Sequence, residues 1–387
     1  YFRPGSTDYR VFAVVTILFE GKMRALFSML FGAGLLMFTG RKETAGQLNT
    51  ADLFYRRLLW MALFGVIHEY VLLWVGDILF DYAICGLFVY VFRNLRPRQL
   101  LLAALVCLTI TGLKHIRHHL EVKEKRAKYL TAVSLETQRK KLTDEQKKDK
   151  EAWEKAVKAV KPDPKEVAEM NQKMRSDYGT IYKTLEPFNI KFHSTHLYLN
   201  LWDPLVMMFL GMALYKRGFF QNRLSTRTYG LVLAGGYGIG LPLAILHFFL
   251  GQQATTNPTG FADAQPFPED IFYDLQRIGL ALGHASLLLL VYRAGVLRWL
   301  LRGIANVGQM AFSNYILQSI LCGLFFYGFG LGYFGKLPYH RLYLVVAGVW
   351  AVNLIFSAVW LRFFRFGPLE WAWRSLTYWE RQPMRKV

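Results

Sequence analysis

Apolar residues run in long unbroken stretches along most of this chain, and the polar residues between them gather into short, mostly basic connections. Stretches such as LLLLVY and LLAALVCL do not alternate with polar positions, so they predict helices and exclude a transmembrane β-barrel, whose strands would alternate. A bilayer's hydrocarbon core is about 30 Å thick and is crossed by a helix of roughly 20 apolar residues. Nine spans are predicted on that basis, near residues 23–40, 58–75, 78–93, 99–114, 196–215, 228–250, 271–292, 304–330 and 342–361. Lipid offers no partner for backbone N–H and C=O groups, so each span must satisfy them internally as a helix. The expected fold is an all-α polytopic membrane protein.

Loop charge orients the spans, because short cytoplasmic loops retain Lys and Arg. The connections RKETAGQLNTADLFYRR, RNLRPR, KRGFFQNRLSTR and RAGVLRWLLRG are basic, whereas GQQATTNPTGFADAQPFPED has no Lys or Arg. Placing the basic loops inside makes the short loops alternate and puts the C-terminal RQPMRKV in the cytoplasm. Tyr1 then lies outside, and a further N-terminal helix before it would make ten spans. The apolar run at residues 11–19 is too short to cross and is expected at the outer interface or leading into the first span.

Residues 115–191 break the pattern. Their Glu, Lys and Ala content predicts two or three solvated helices interrupted at Lys161-Pro162-Asp163-Pro164, forming an extracytoplasmic insert with exposed faces of mixed charge. The chain is thereby divided into an N-terminal transmembrane part (1–114), the insert (115–191), a C-terminal transmembrane bundle (192–365) and an amphipathic cytoplasmic tail (366–387). In the tail, Glu370 and Arg374 are spaced to pair on one helix face.

Composition sharpens this only in part. Of 387 residues, 53% are hydrophobic and 16% aromatic, too apolar for an ordinary soluble domain of this length. The net charge of +20 is what retained loop cations give, so no nucleic-acid partner is expected. Cys85, Cys107 and Cys322 all fall inside apolar runs and read as small core residues, neither disulfides nor metal ligands.

Candidate chemistry lies in the polar groups that interrupt the spans, since a charge at a helix centre costs roughly 2.5–3.5 kcal/mol on insertion scales. They fall mostly in the outer halves of the spans, which predicts a polar cavity open to the outside. His68 is the natural general base, with Glu69, Asp77 or Asp81 to orient it. Asp77 after Gly76, and Asp203 before Pro204, also suit helix caps. Arg277 needs a counter-charge, either an Asp of this chain or an anionic ligand. Lys22 and Arg24 suit a phosphate or carboxylate, or else lipid head groups. His284, Asn314 and Gln318 complete the candidate substrate-binding set, the two amides equally suiting glue between helices. The glycines of YGFGLGYFG predict a flexible outer end to the eighth span, with no strand before them to make a nucleotide loop.

The blocks EGKMRALFSMLFGAG, HEYVLLWVGDILFDYAICG, LGMALYKRGFF, GQMAFSNYILQSILCGLFFYGFGLGYFG and FGPLEWAWRSLTY, in this order, resemble the bacterial YeiB-like membrane family, domain of unknown function 418. The resemblance covers nearly the whole chain apart from the insert and implies a multi-pass protein of the bacterial inner membrane. That family opens with a helix bearing a Leu-Asp-x-Leu-Arg-Gly-like motif, which this sequence does not show. It is distantly similar to transmembrane acyltransferases, in which an intramembrane histidine serves as base or acyl carrier and cytoplasmic acyl-CoA is the donor. Here His68 takes that part by its chemistry, not by alignment. The implied function is acyl transfer to an envelope glycan, lipid or small molecule, with Lys22, Arg24 and Arg277 holding the anionic donor or acceptor. The alternative is a transporter or flippase for an anionic or lipidic substrate, using the same groups as clamp and proton relay.

Overall fold

The computed structural model describes residues 2–44, 50–161, 163–196 and 201–386. The helices are α1 (Thr7–Leu18), α2 (Lys22–Thr44), α3 (Thr50–Tyr70), α4 (Ile78–Val89), α5 (Pro97–Thr137), α6 (Asp144–Val160), α7 (Pro164–Met174), α8 (Tyr178–Lys191), α9 (Trp202–Lys216), α10 (Thr226–Thr256), α11 (Pro258–Ala264), α12 (Tyr273–Ala294), α13 (Arg298–Gln309), α14 (Ala311–Phe326), α15 (Tyr339–Phe363) and α16 (Pro368–Tyr378). Among the described residues the only β pairing is an isolated antiparallel bridge between Phe364 and Arg385. The all-helical class is therefore as the apolar runs require.

Five helical stretches among the described residues are long and apolar enough to cross a membrane: Thr7–Gly40, Pro97–Thr137, Thr226–Thr256, Glu269–Ala294 and Tyr339–Phe363. Ile78–Phe92 and Ala311–Phe326 are shorter apolar helices. The run at residues 11–19 belongs to the first stretch, where α1 and α2 meet at Gly21, whose φ of +72° suits glycine. The expected eighth span, 304–330, is two helices broken at Met310. Apolar side chains such as Leu102 on α5, Leu231 on α10 and Leu344, Trp350 and Ile355 on α15 face outward, as a hydrocarbon-covered surface requires.

The main core joins α2, α3, α4, α5 and α9 through Met29, Leu58, Tyr82, Cys85, Leu100 and Met208. α2 and α9 approach backbone to backbone. A Cβ on Gly32 would collide with the Met208 backbone and one on Gly211 with the Met29 carbonyl, so each glycine lets the other helix in. Gly236 and Gly240 of α10 do the same against Gly279 and Leu280 of α12.

The charged insert departs from the expectation of simple solvated helices. α5 carries on past residue 114 to Thr137, because nothing after Leu113 breaks it, and α6 lies against it with Trp153 buried. α6 ends at Val160 and α7 starts at Pro164 behind an Asp163 cap. α8 is capped by Asp177, whose carboxyl the Thr180 hydroxyl and amide hold below the usual carboxylate range. Met174 of α7 and Ile181 of α8 close over Leu73 with Tyr327 and Phe334. The charges are exposed as expected, but the sparse apolar residues of α7 and α8 form a cover over the α3–α4 link. The YGFGLGYFG segment is correspondingly a packed contact instead of a flexible end. Gly328 N–H donates to the Met174 carbonyl at 3.1 Å, and a Cβ on Gly328 would strike the Arg175 backbone.

Candidate functional site

The short link between α3 and α4 folds Asp77 back onto His68. It turns through Leu73 at φ +57° and Gly76 at φ +78°; the first is a conformation a leucine adopts only at a cost of order 1–3 kcal/mol. Leu73 is held there by its burial and by the Tyr327 hydroxyl, which donates to its carbonyl at 2.8 Å. The Tyr178 hydroxyl of α8 fixes the Val71 carbonyl at 2.9 Å.

Asp77 caps α4 with Oδ2, accepting from Leu79 N–H at 2.7 Å and Phe80 N–H at 3.1 Å. Its Oδ1 faces His68 Nδ1 at 2.7 Å and accepts the Tyr315 hydroxyl at 3.0 Å. The cap and the orienting carboxylate anticipated as alternatives are thus one residue. With Nδ1–H donated to the carboxylate, the neutral imidazole carries its lone pair on Nε2, and that atom has no protein partner. The ring lies against Trp74 (18° between planes, centroids 6.0 Å apart) and edge-on to Tyr315 at 4.9 Å.

Glu69, next to His68 on α3, points elsewhere. Its Oε2 is 2.7 Å from His193 Nε2, a charge contact whose angles do not make a hydrogen bond, and both carboxylate oxygens lack hydrogen-bond partners. Glu69 therefore does not orient His68. Asp81, one turn into α4, also leaves Oδ1 unpartnered, and it lies within electrostatic reach of Asp77 and Arg24.

A second charged group gathers where α2, α9 and α12 meet. Arg277 Nη1 donates to Asp203 Oδ1 at 2.7 Å and to Asp274 Oδ1 at 3.2 Å, and its Nε donates to the Gly21 carbonyl at 3.1 Å. Tyr273 lies under the guanidinium at 4.7 Å. Arg24 adds a 3.3 Å contact to the other Asp203 oxygen. The counter-charge that Arg277 requires is supplied by the chain itself. Asp203 is no helix cap: α9 begins with Leu201 at the cap position, and the Asp203 carboxylate is spent on the two arginines.

The remaining candidates are dispersed. Lys22 is buried and donates to the Thr16 carbonyl at 2.7 Å, where α1 ends, instead of reaching lipid head groups. His284 bridges the Tyr237 hydroxyl at 2.7 Å and the Leu18 carbonyl at 2.8 Å. Asn314 ties α14 to the Val307 carbonyl at 3.1 Å and to Ser357 of α15 at 2.8 Å. Gln318 lines an apolar groove between α14 and α15. Glu370 does not serve as the helix-face partner of Arg374. It accepts Phe312 N–H at 2.7 Å and Ser313 N–H at 3.0 Å, capping α14 from another helix, while Arg374 covers the Phe366 ring.

The expected cavity open to the outside is not found at these residues. His68, Glu69 and Asp77 have no exposure, and Lys22 and Arg277 are within 2% of none, because α7 and α8 cover the link and the arginines are neutralised in place. The sequence reading passed over Tyr315, Trp74, His193 and Asp274. Asp274 had a signal, three residues before Arg277 on one helix face; Tyr315 and Trp74 looked like ordinary membrane aromatics. Among the described residues no group of three His, Cys, Asp or Glu side chains is arranged to hold a metal ion.

A multi-pass helical protein with an Asp-oriented histidine sealed inside it is the class these observations define. Residues 214–380 match the model of a domain described as "Protein of unknown function (DUF418)". The chain is 28% identical to the uncharacterized protein YxaH of Bacillus subtilis (strain 168), over 98% of its own length and 85% of that protein. It is 29% identical to the uncharacterized protein YeiB of Escherichia coli (strain K12), over 96% and 85% respectively. An uncharacterized 39.9 kDa protein in the amylase 3' region of Bacillus acidopullulyticus is 25% identical over 94% of this chain and 82% of its own. No solved structure matches. The DUF418 match over residues 214–380 and the similarity to YeiB over most of the chain support the resemblance that the sequence blocks carry.

Proposed function

We propose that this protein is an integral-membrane acyltransferase of the bacterial inner membrane, with His68 as general base and Asp77 as the group that orients it. The observation carrying the reading is the pairing of a fully buried His68–Asp77 contact with an Nε2 that no protein group occupies. His284, by contrast, spends both nitrogens, on the Tyr237 hydroxyl and the Leu18 carbonyl. In the reaction Nε2 takes the proton of an acceptor hydroxyl or amine, and the acceptor atom attacks the thioester carbonyl of acyl-CoA. The C–S bond breaks, and the departing thiolate recovers the proton from the imidazolium. The Tyr315 hydroxyl and the Leu79 and Phe80 amides hold the Asp77 carboxylate in place while this happens. In this arrangement α3, α4, α9 and the α13–α14 pair cross the membrane beside the five long helices, giving nine spans. The basic loops and C-terminus are cytoplasmic and α6–α8 lie outside.

The test is release of free CoA thiol from acetyl-CoA and longer acyl-CoAs by the protein in nanodiscs, with bacterial envelope extract as acceptor. His68→Gln is expected to lower release by about 10²–10⁴-fold. Equal release by wild type and His68→Gln, or none by either, sinks the reading.

A specific feature favours transport as the second reading. The helices are interrupted at Gly21 and Met310, and Arg277 with Asp203 sits at the first of these breaks, as substrate clamps do in transporters.

A further inference from the structure

A half-open groove of about 400 Å³ lies between α14 and α15, lined by Gln318, Cys322, Phe326, Val346, Val349 and Trp350, with Trp74 closing one side. It follows α15 from Tyr339 to Trp350, about 16 Å at 1.5 Å per residue, so it is a channel for an extended group and not a compact pocket. Its Tyr339 end is polar, the Tyr339 and Tyr343 hydroxyls being 3.2 Å apart, and its far end is apolar. It opens among exposed Ile320, Leu324, Leu344 and Trp350, on a helix apolar enough to span the membrane, so hydrocarbon is what meets its mouth.

Two features join this groove to the histidine centre. Trp74 is shared: it lines the groove and lies against the His68 ring. α14 is shared as well, since Tyr315 donates to Asp77 and Gln318, one turn on, faces the groove. We propose that the groove holds an acyl chain of a membrane lipid, and that this lipid is the acceptor whose head group is presented to His68. The substrate-class part of this rests on the acyltransferase reading above; the binding part stands without it. A comparable cavity of about 360 Å³ between α10 and α12, lined by Val232, Gly236, Ile239, Leu275 and Gly279, shares no residue with the histidine centre and is the internal control.

The experiment uses the full chain in nanodiscs containing a phospholipid with a diazirine in its acyl tail, photolysed and mapped by mass spectrometry. Adducts are expected to concentrate on Gln318, Cys322, Phe326 and Val349, above the level on the α10–α12 control surface. Val346→Trp, which fills the groove, is expected to lower them roughly tenfold without changing the control adducts. Val349→Phe provides a second filling variant should the first fail to fold. Adducts spread evenly over both surfaces, or unmoved by either filling, mean annular lipid only and overturn the groove. His68→Gln separates the two readings. Labelling that persists in it while CoA release is unaffected keeps the groove and discards the base; release that depends on His68 with unfocused labelling does the reverse.

Discussion

His68 Nδ1 lies 2.7 Å from Asp77 Oδ1, and the same carboxylate caps α4 with its other oxygen. One side chain thus fixes a helix start and a tautomer together, and the two duties separate by substitution. Asn is as good an N-cap as Asp but offers no charge to an imidazolium. Asp77→Asn is expected to stay within about 1 kcal/mol of wild type in thermal unfolding while CoA release falls by about 10²–10⁴-fold. Asp77→Ala should lose both. Stability and release falling in step in Asp77→Asn would assign the residue to structure alone.

Arg277 is expected to behave as a structural cation. Removing it leaves the buried Asp274 without its cation and Asp203 with Arg24 alone, so Arg277→Gln should destabilise by about 3–5 kcal/mol, read as a large drop in melting temperature in nanodiscs. A stable Arg277→Gln protein with altered substrate response would make Arg277 a ligand clamp instead.

The α2–α9 contact supplies a paired test. Gly211→Ala places a methyl on the Met29 carbonyl and is expected to cost about 1–3 kcal/mol or prevent folding. Gly34→Ala, whose Cβ meets nothing within 4 Å, is expected to be neutral or stabilising by about 0.5–1 kcal/mol. Similar melting temperatures for the two variants would mean the helices are not that close.

The cover formed by α7 and α8 should loosen in a graded way. Tyr178→Phe and Tyr327→Phe each remove one hydrogen bond to the α3–α4 link, worth about 0.5–1.5 kcal/mol, and faster hydrogen exchange at residues 71–77 is the expected readout. Acid should matter little. A lowered Asp177 carboxyl lends its capping stability above the unfolded-state value and loses it only as pH falls through the depressed one. Protection at the start of α8, the exchange rate relative to the intrinsic rate at each pH, should therefore be the same at neutral and mildly acidic pH; a clear loss of protection on mild acidification would contradict the cap.

The helical class was legible because burial in lipid forces long apolar runs, and His68 with Asp77 was legible because charge there is costly. What the sequence hid has physical reasons too. The break at Met310 comes two residues after Gly308, with no Pro, and it is held open by Glu370, far along the chain, which offers a carboxylate to the amides of Phe312 and Ser313. Asp203 looked like a cap because Pro204 follows it, and only the approach of α12 showed that Arg277 claims its carboxylate. The insert's cover was hidden because a few apolar residues, Met174 and Ile181 among them, are outvoted by charge in any compositional reading.

The Glu370 contact also has a bearing on how the protein is made. Tyr315, the fourth partner of Asp77, stands one turn into the helix that Glu370 caps, so its hydroxyl is placed by a residue near the end of the chain. His68 and Asp77 leave the ribosome early and meet across a short link. Their hydrogen-bond set is finished only when α16 has been synthesised and docked on α3 through Trp373 and Arg57. A nascent chain stalled before Glu370 therefore holds His68 and Asp77 without their full set of partners until the whole bundle has formed.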